Sequence, residues 1–358
     1  MRRLLVVMAS LVTLATPIAA TGDVLNSDQK LVLVQTIGGA ITPKSVLASD
    51  SGLVSAHNMM YNHSVTIYDA TTATLIATVP DTVRLSDFGF KKYSGNYQGA
   101  PVEGAYSPDG KYLYFTNYAM YGKGFTKEGH DTCSPASGFD TSFLSRINLE
   151  SKKIDAVYPV GSVPKVVKIT PDNKYIMVSN WCSYTVNILS VETGKPIKTI
   201  KIGRYPRGIA ISSDSRYAYV AEMGGANIHR IDLTDFSKTL IPVGPNPRAV
   251  VLSPDGTKLY VTMNASGKVQ AWDLVANKTI KSVKTGEAAR SLDISSDGSS
   301  LFVVNFNSGT VSKVRSSDMK IMQTIKVCPE PIGVTYDSST NRTWVACYRG
   351  ALKVFANQ

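Results

Sequence analysis

Four histidines and four cysteines in 358 residues leave little material for metal or acid–base chemistry. There is no Cys-x-x-Cys and no His-x-x-x-His, so the spacing of a zinc site is missing. There is likewise no Gly-x-Ser-x-Gly elbow, no Gly-rich phosphate loop and no paired-carboxylate motif, which withholds the usual signatures of a hydrolase or a nucleotide enzyme. Past residue 20, no apolar run approaches the ~20 residues needed for a membrane helix. Charged residues make up only 18% of the chain and form no solid basic block, although the formal net charge is +11. No metal and no cofactor is called for. A diffuse basic excess serves solubility, or partners such as cell-wall polymers, nucleic acid or lipid head groups.

What is present begins with an export pattern. Arg2 and Arg3, the apolar run from Leu4 to Ala15, the helix-breaking Pro17 and small residues to Ala20 read as a secretory signal cleaved before Thr21. No cysteine follows the cleavage point, so a lipid-modified N-terminus is not expected, and with no later stretch long enough to span a bilayer neither is a transmembrane anchor on the mature chain, 21–358. The expected location is secreted, periplasmic or at the cell surface.

The mature chain is repetitive. Pro247 to Leu274 holds three short strands punctuated by Ser253-Pro254-Asp255-Gly256 and by a second turn at Asn264 to Gly267. A Pro or Ala placed six residues before a Ser, Thr or Asp turn recurs seven times: Pro43/Ser49, Pro101/Ser107, Pro164/Thr170, Pro206/Ser212, Pro247/Ser253, Ala289/Ser295 and Pro331/Asp337. The last five turns follow one another at about 42 residues, a blade-like period. A fourth strand follows each unit, as at Ile197 to Ile202 and Thr279 to Lys284. Only three strands remain for the seventh unit, so Leu31 to Ile37 is expected to complete it and close the ring, removing exposed sheet edges. The predicted fold is all-β: one seven-bladed propeller domain of four-stranded antiparallel blades, monomeric, with insertions at about 81–99 and 118–142. Trp272-Asp273 imitates a WD pair, but the other units lack it.

SPDGKYLYFTNY at 107–118, SPDGTKLYVTMN at 253–264 and PRGIAIS at 206–212 resemble the YVTN-repeat propellers of the YncE-like kind over nearly the whole mature chain. The resemblance implies the fold. It also implies an exported or surface-exposed protein of a family in which some members bind single-stranded DNA. Related propellers include lactonases and haem-d1 domains.

Both insertions are expected on one face, where loops on a rigid scaffold commonly carry recognition. The residue after the recurring Pro or Ala is cationic in five units, Lys44, Lys165, Arg207, Arg248 and Arg290, and is Val102 and Ile332 in the others. These open the innermost strands and should ring the channel mouth, attracting anions. Cys133, Cys182, Cys328 and Cys347 map to the same face, and an even count in an exported chain favours disulfides. Topology favours Cys133 with Cys182 and Cys328 with Cys347. Within the insertions, Tyr118, Tyr121, Lys123 and further aromatics and lysines suit stacking on bases or sugars with charge contacts to phosphate or carboxylate. His130 beside Asp131 is the chain's sole His–carboxylate pair and the candidate for acid–base catalysis. The expected function is recognition of an anionic polymer, a cell-wall glycan or single-stranded nucleic acid, or of a surface protein. The alternatives are a lactonase-like hydrolase or lyase on the same face and a protein-interaction scaffold.

Overall fold

The computed structural model describes residues 25–358; the leader read at residues 1–20 lies outside them. Within them the chain forms seven four-stranded antiparallel sheets arranged as blades. Blade one runs through Pro43–Ala48, Leu53–Asn58, Ser64–Asp69 and Leu75–Pro80, each strand pairing with the next. Five further blades repeat the order. Blade seven consists of Pro331–Asp337, Arg342–Cys347, Ala351–Asn357 and, at its outer edge, Leu31–Ile37 from the other end of the chain.

Each blade is built by the same local chemistry. In the plain-face turn of blade five, Ser253 Oγ accepts the Lys258 N–H at 2.9 Å and Asp255 Oδ1 accepts the Thr257 N–H at 3.0 Å. Gly256 takes the left-handed conformation at φ 68°, which glycine adopts without steric cost. Asn173 and Ser215 hold the corresponding position in blades three and four. Second strands are buried on both faces, as in Lys258–Met263, whereas outer strands such as Lys278–Lys284 are exposed along nearly their whole length. The apolar core therefore lies between blades. Val166, Met177 and Ile188 of blade three, for example, pack against Ile209, Val220 and Ile231 of blade four.

Ring closure is a paired strand with its own anchor. Leu31 lies opposite Asn357 and Ile37 opposite Leu352, and Lys30 and Gln358 exchange backbone hydrogen bonds. The buried Lys313 ammonium donates to the carbonyls of Asn26 and Gln29 and to Asn357 Oδ1, at 2.5, 2.9 and 3.2 Å.

The two insertions pack on each other above blade two. The first carries a 3-10 turn, Leu85–Phe88, and the second another, Pro135–Ser137. Tyr93 stacks on Phe125 with centroids 4.9 Å apart, and Tyr97 donates its hydroxyl to the Lys123 carbonyl at 3.0 Å. Phe88 and Phe90 join the same cluster. Most of the aromatics expected to stack on a ligand are thus used inside the protein, holding the loops together.

Candidate functional site

The seven innermost strands enclose an axial channel of about 310 Å³ whose lining includes Lys44, Glu103, Arg207, Arg248 and Arg290. Three of the five cations are buried, and Lys44 and Arg290 are half-buried. Lys165, Arg207 and Arg248 are 5%, 7% and 7% exposed, so the ring expected at a solvated mouth lies below the rim. The reason is a second tier above it, which recurrence of charge did not reveal. The recurring Pro or Ala pairs across the ladder with the last residue of the second strand: Pro164 with Asn180, Ala289 with Asn305, Pro331 with Cys347. The next residue is Met59, Tyr118, Trp181, Met223, Asn264, Phe306 or Tyr348 in successive blades, a crown of mostly aromatic and thioether side chains.

In five of the blades one backbone device aligns the tiers. Val163, Tyr205, Asn246, Ala288 and Glu330, each just before the recurring Pro or Ala, hold φ between 54° and 60°. Their carbonyls accept the N–H groups of Trp181, Met223, Asn264, Phe306 and Tyr348. Crown and cation are thereby stacked. Arg290 lies 3.7 Å from the Phe306 centroid, Lys44 5.0 Å from that of Tyr348, and Lys165 4.2 and 5.3 Å from those of Tyr118 and Trp181.

At the mouth two carboxylates answer the five cations; further along the channel Lys168 and Asp293 add one charge of each sign. Glu103 Oε1 takes Arg207 Nη2 at 2.6 Å. It occupies a channel position that Ser45, Val166, Gly208, Ala249, Ser291 and Gly333 fill in the other blades, and that departure was visible in the alignment of the repeats. Asp131, from the second insertion, approaches Lys165 Nζ at 3.6 Å and accepts the Tyr118 hydroxyl at 3.4 Å. Three cations are left in excess. Burial first, then the neighbouring cations, lowers the pKa of Lys44, Arg248 and Arg290, and brings Lys165 down to about 7. Desolvation by the neighbouring groups works the other way at Asp131, yet Lys165 and Lys44 hold its carboxyl below the usual range. Two guanidinium nitrogens, Arg207 Nη1 and Arg290 Nε, are buried with no acceptor.

The remaining sequence candidates divide. Tyr118 belongs to the crown. Tyr121 instead donates to Glu128 at 2.7 Å, and Lys123 is exposed on the loop top. His130 and Asp131 are not paired with each other: His130 Nδ1 accepts the Thr132 N–H at 3.2 Å while Asp131 faces Lys165. That arrangement does not make an acid–base dyad. Cys133 is bonded to Cys182 and Cys328 to Cys347. The first bond ties the Asp131 loop to the blade-three rim, where the Trp181 indole also donates to the Asp131 carbonyl at 3.0 Å. Disulfides fit an oxidising compartment.

Residues 104–293 match the family model of the YNCE-like beta-propeller, and residues 247–347 that of the Cytochrome D1 heme domain. Antigen Lp49 of Leptospira interrogans is 29% identical over 153 residues, which is 40% of this chain and 33% of that relative. The chain thus spans a third of that relative's length. The hydrazine synthase of Kuenenia stuttgartiensis superposes with a TM-score of 0.67 at 17% identity, covering 87% of this chain and 95% of that one. At that identity the likeness is one of fold.

Proposed function

The chain belongs to the YNCE-like beta-propeller family, and on that footing we propose that it is an exported binding module that captures anionic ligands on the insertion-bearing face. One observation carries the reading: five cations converge on the channel mouth against two carboxylates, in a site too buried for water to screen them fully. The ligand class is an anionic polymer, a cell-wall glycan or single-stranded nucleic acid, or an acidic surface partner. Export is supported by the Arg-led apolar leader and the two disulfides, and surface exposure by a relative named as an antigen.

The Cytochrome D1 match raises a haem, which would need an axial ligand at the mouth. His57 is fully buried, with Nδ1 2.8 Å from Ser45 Oγ and Nε2 packed against Gly104. The His63 Nδ1 is taken by the Gly99 carbonyl, and His130 lies on an exposed loop. His229 is paired with Glu222 at 3.1 Å, and none of the four histidines lines the channel. No histidine fits the role, and no chemistry is routed through a haem.

The test is fluorescence anisotropy with labelled single-stranded DNA and with an anionic cell-wall glycan across a salt series. Affinity should fall steeply with salt, and R248Q with R290Q should weaken it at least about tenfold. Polymers that fail to bind, or bind the variant as well as the native protein, would overturn the proposal.

A further inference from the structure

We infer that the channel mouth seats a terminal phosphate monoester, a doubly charged oxyanion at the end of a ligand, rather than the internal charges of a polymer. The inference rests on the anion-binding reading above and narrows it.

Depth comes first. Arg207 and Arg248 are each 7% exposed and lie beneath the crown, so only a group that enters the recess can reach them. A chain laid across the face would meet Phe306, Tyr348, Trp181 and the Asp131 loop before it met a guanidinium. Internal phosphodiesters are flanked by sugars on both sides. The channel, about 310 Å³ along its length, has room for a tetrahedral oxyanion and its accompanying waters.

Unspent donors come second. The Arg207 Nη2 is committed to Glu103 at 2.6 Å and the Arg248 Nη1 to the Arg290 carbonyl at 2.9 Å. Arg207 Nη1 and Arg290 Nε, which flank Arg248 from the neighbouring blades, are buried without acceptors. Leaving such donors unmade is costly, and a charged acceptor answers them better than water does. A monoester offers three terminal oxygens and close to two negative charges, against one charge on a diester or carboxylate.

Charge comes third. Glu103 and Asp131 neutralise two of the five cations, so the recess favours an incoming dianion over a monoanion. Asp131 reaches the same recess from an exposed loop, with its side chain 79% accessible, and so stands where a ligand's second anionic group would otherwise pair with Lys165.

The shared chemistry has two sources, a free small phosphate and a phosphorylated chain end. The experiment compares a 5′-phosphorylated oligothymidylate with its 5′-hydroxyl twin, with inorganic phosphate as ligand and competitor, on the full mature protein. The phosphorylated strand should bind at least about tenfold more tightly, and phosphate should displace it alone. Phosphate that binds while neither strand does supports the site and assigns it to small ligands. Equal affinity for both strands, with no effect of phosphate, overturns this inference and leaves the polyanion reading standing; no binding by any of the three overturns this inference and the nucleic-acid arm of that reading, the glycan arm being decided by the salt series above. R290Q should lose the preference for the phosphorylated end. E103Q, which removes a competing carboxylate, should tighten phosphate binding, a gain that misfolding could not produce.

Discussion

Asp81 occupies a position that the other blades fill with Val160, Ile202, Val243, Thr285 and Val327, and its N–H makes the same loop-closing bond as those of Val160, Ile202, Thr285 and Val327, here to the His63 carbonyl. The residue is wholly buried and both carboxylate oxygens lack a partner. Burial pushes its pKa up to about 8. Because the folded value is raised above the unfolded one, the stability this group permits is present below the ordinary carboxylate pKa and is lost as pH rises through about 8. Asp81→Val should therefore stabilise the protein by roughly 1–3 kcal/mol at pH 8.5 and by less at pH 5. Urea midpoints at the two pH values measure it; equal midpoints for variant and native protein at pH 8.5 would show that Asp81 has a partner in solution.

At the scale of the element, the informative unit is a left-handed residue, a Pro or Ala, a cation and, one ladder step across, a crown side chain. The cations were legible because charge recurs at a fixed offset from a conspicuous Pro. The crown was not, because Met, Tyr, Trp, Asn and Phe share no single chemistry, and in five blades it is the hydrogen bond accepted by a left-handed residue's carbonyl that sets them in one tier. The loop aromatics misled in the opposite direction: Tyr93, Tyr97 and Phe125 have the composition of a stacking surface, yet two insertions packed together need a core of their own. The staple on that module is the Cys133–Cys182 bond, which closes a 49-residue separation and is worth about 4 kcal/mol on a chain-entropy account. The double variant Cys133→Ser, Cys182→Ser should speed limited proteolysis within 122–142 while the blades stay protected. Unchanged cleavage would mean that Tyr97, Phe125 and their neighbours hold the loop unaided.

For the whole molecule, blade count, strand order and closure were legible because a repeat of about 42 residues leaves one strand short at one end and one strand over at the other. What could not be read was depth. Whether Arg248 is solvated or buried depends on seven strands converging on an axis, and one repeat carries no trace of that. Deleting the chain through Ile37 should leave Ala351–Asn357 as a bare edge, strip the Lys313 ammonium of the Asn26 and Gln29 carbonyls, and yield a protein that melts lower and scatters light on heating. A truncated protein with the native melting temperature would show that closure is dispensable.

The closing strand also determines where the molecule can be cut. Lys30 and Gln358 lie within mutual hydrogen-bond reach, and Asn26 docks on Asp297 in the plain-face turn of blade six, opposite the crown. Topologically the protein is a circle opened at one of seven nearly equivalent seams. A short linker across those ends, with a new opening at the plain-face turn Asp214–Arg216, gives a circular permutant that keeps every ladder except the one it relocates. Any tether attached at either seam hangs beneath the ring, with the charged recess facing away from it.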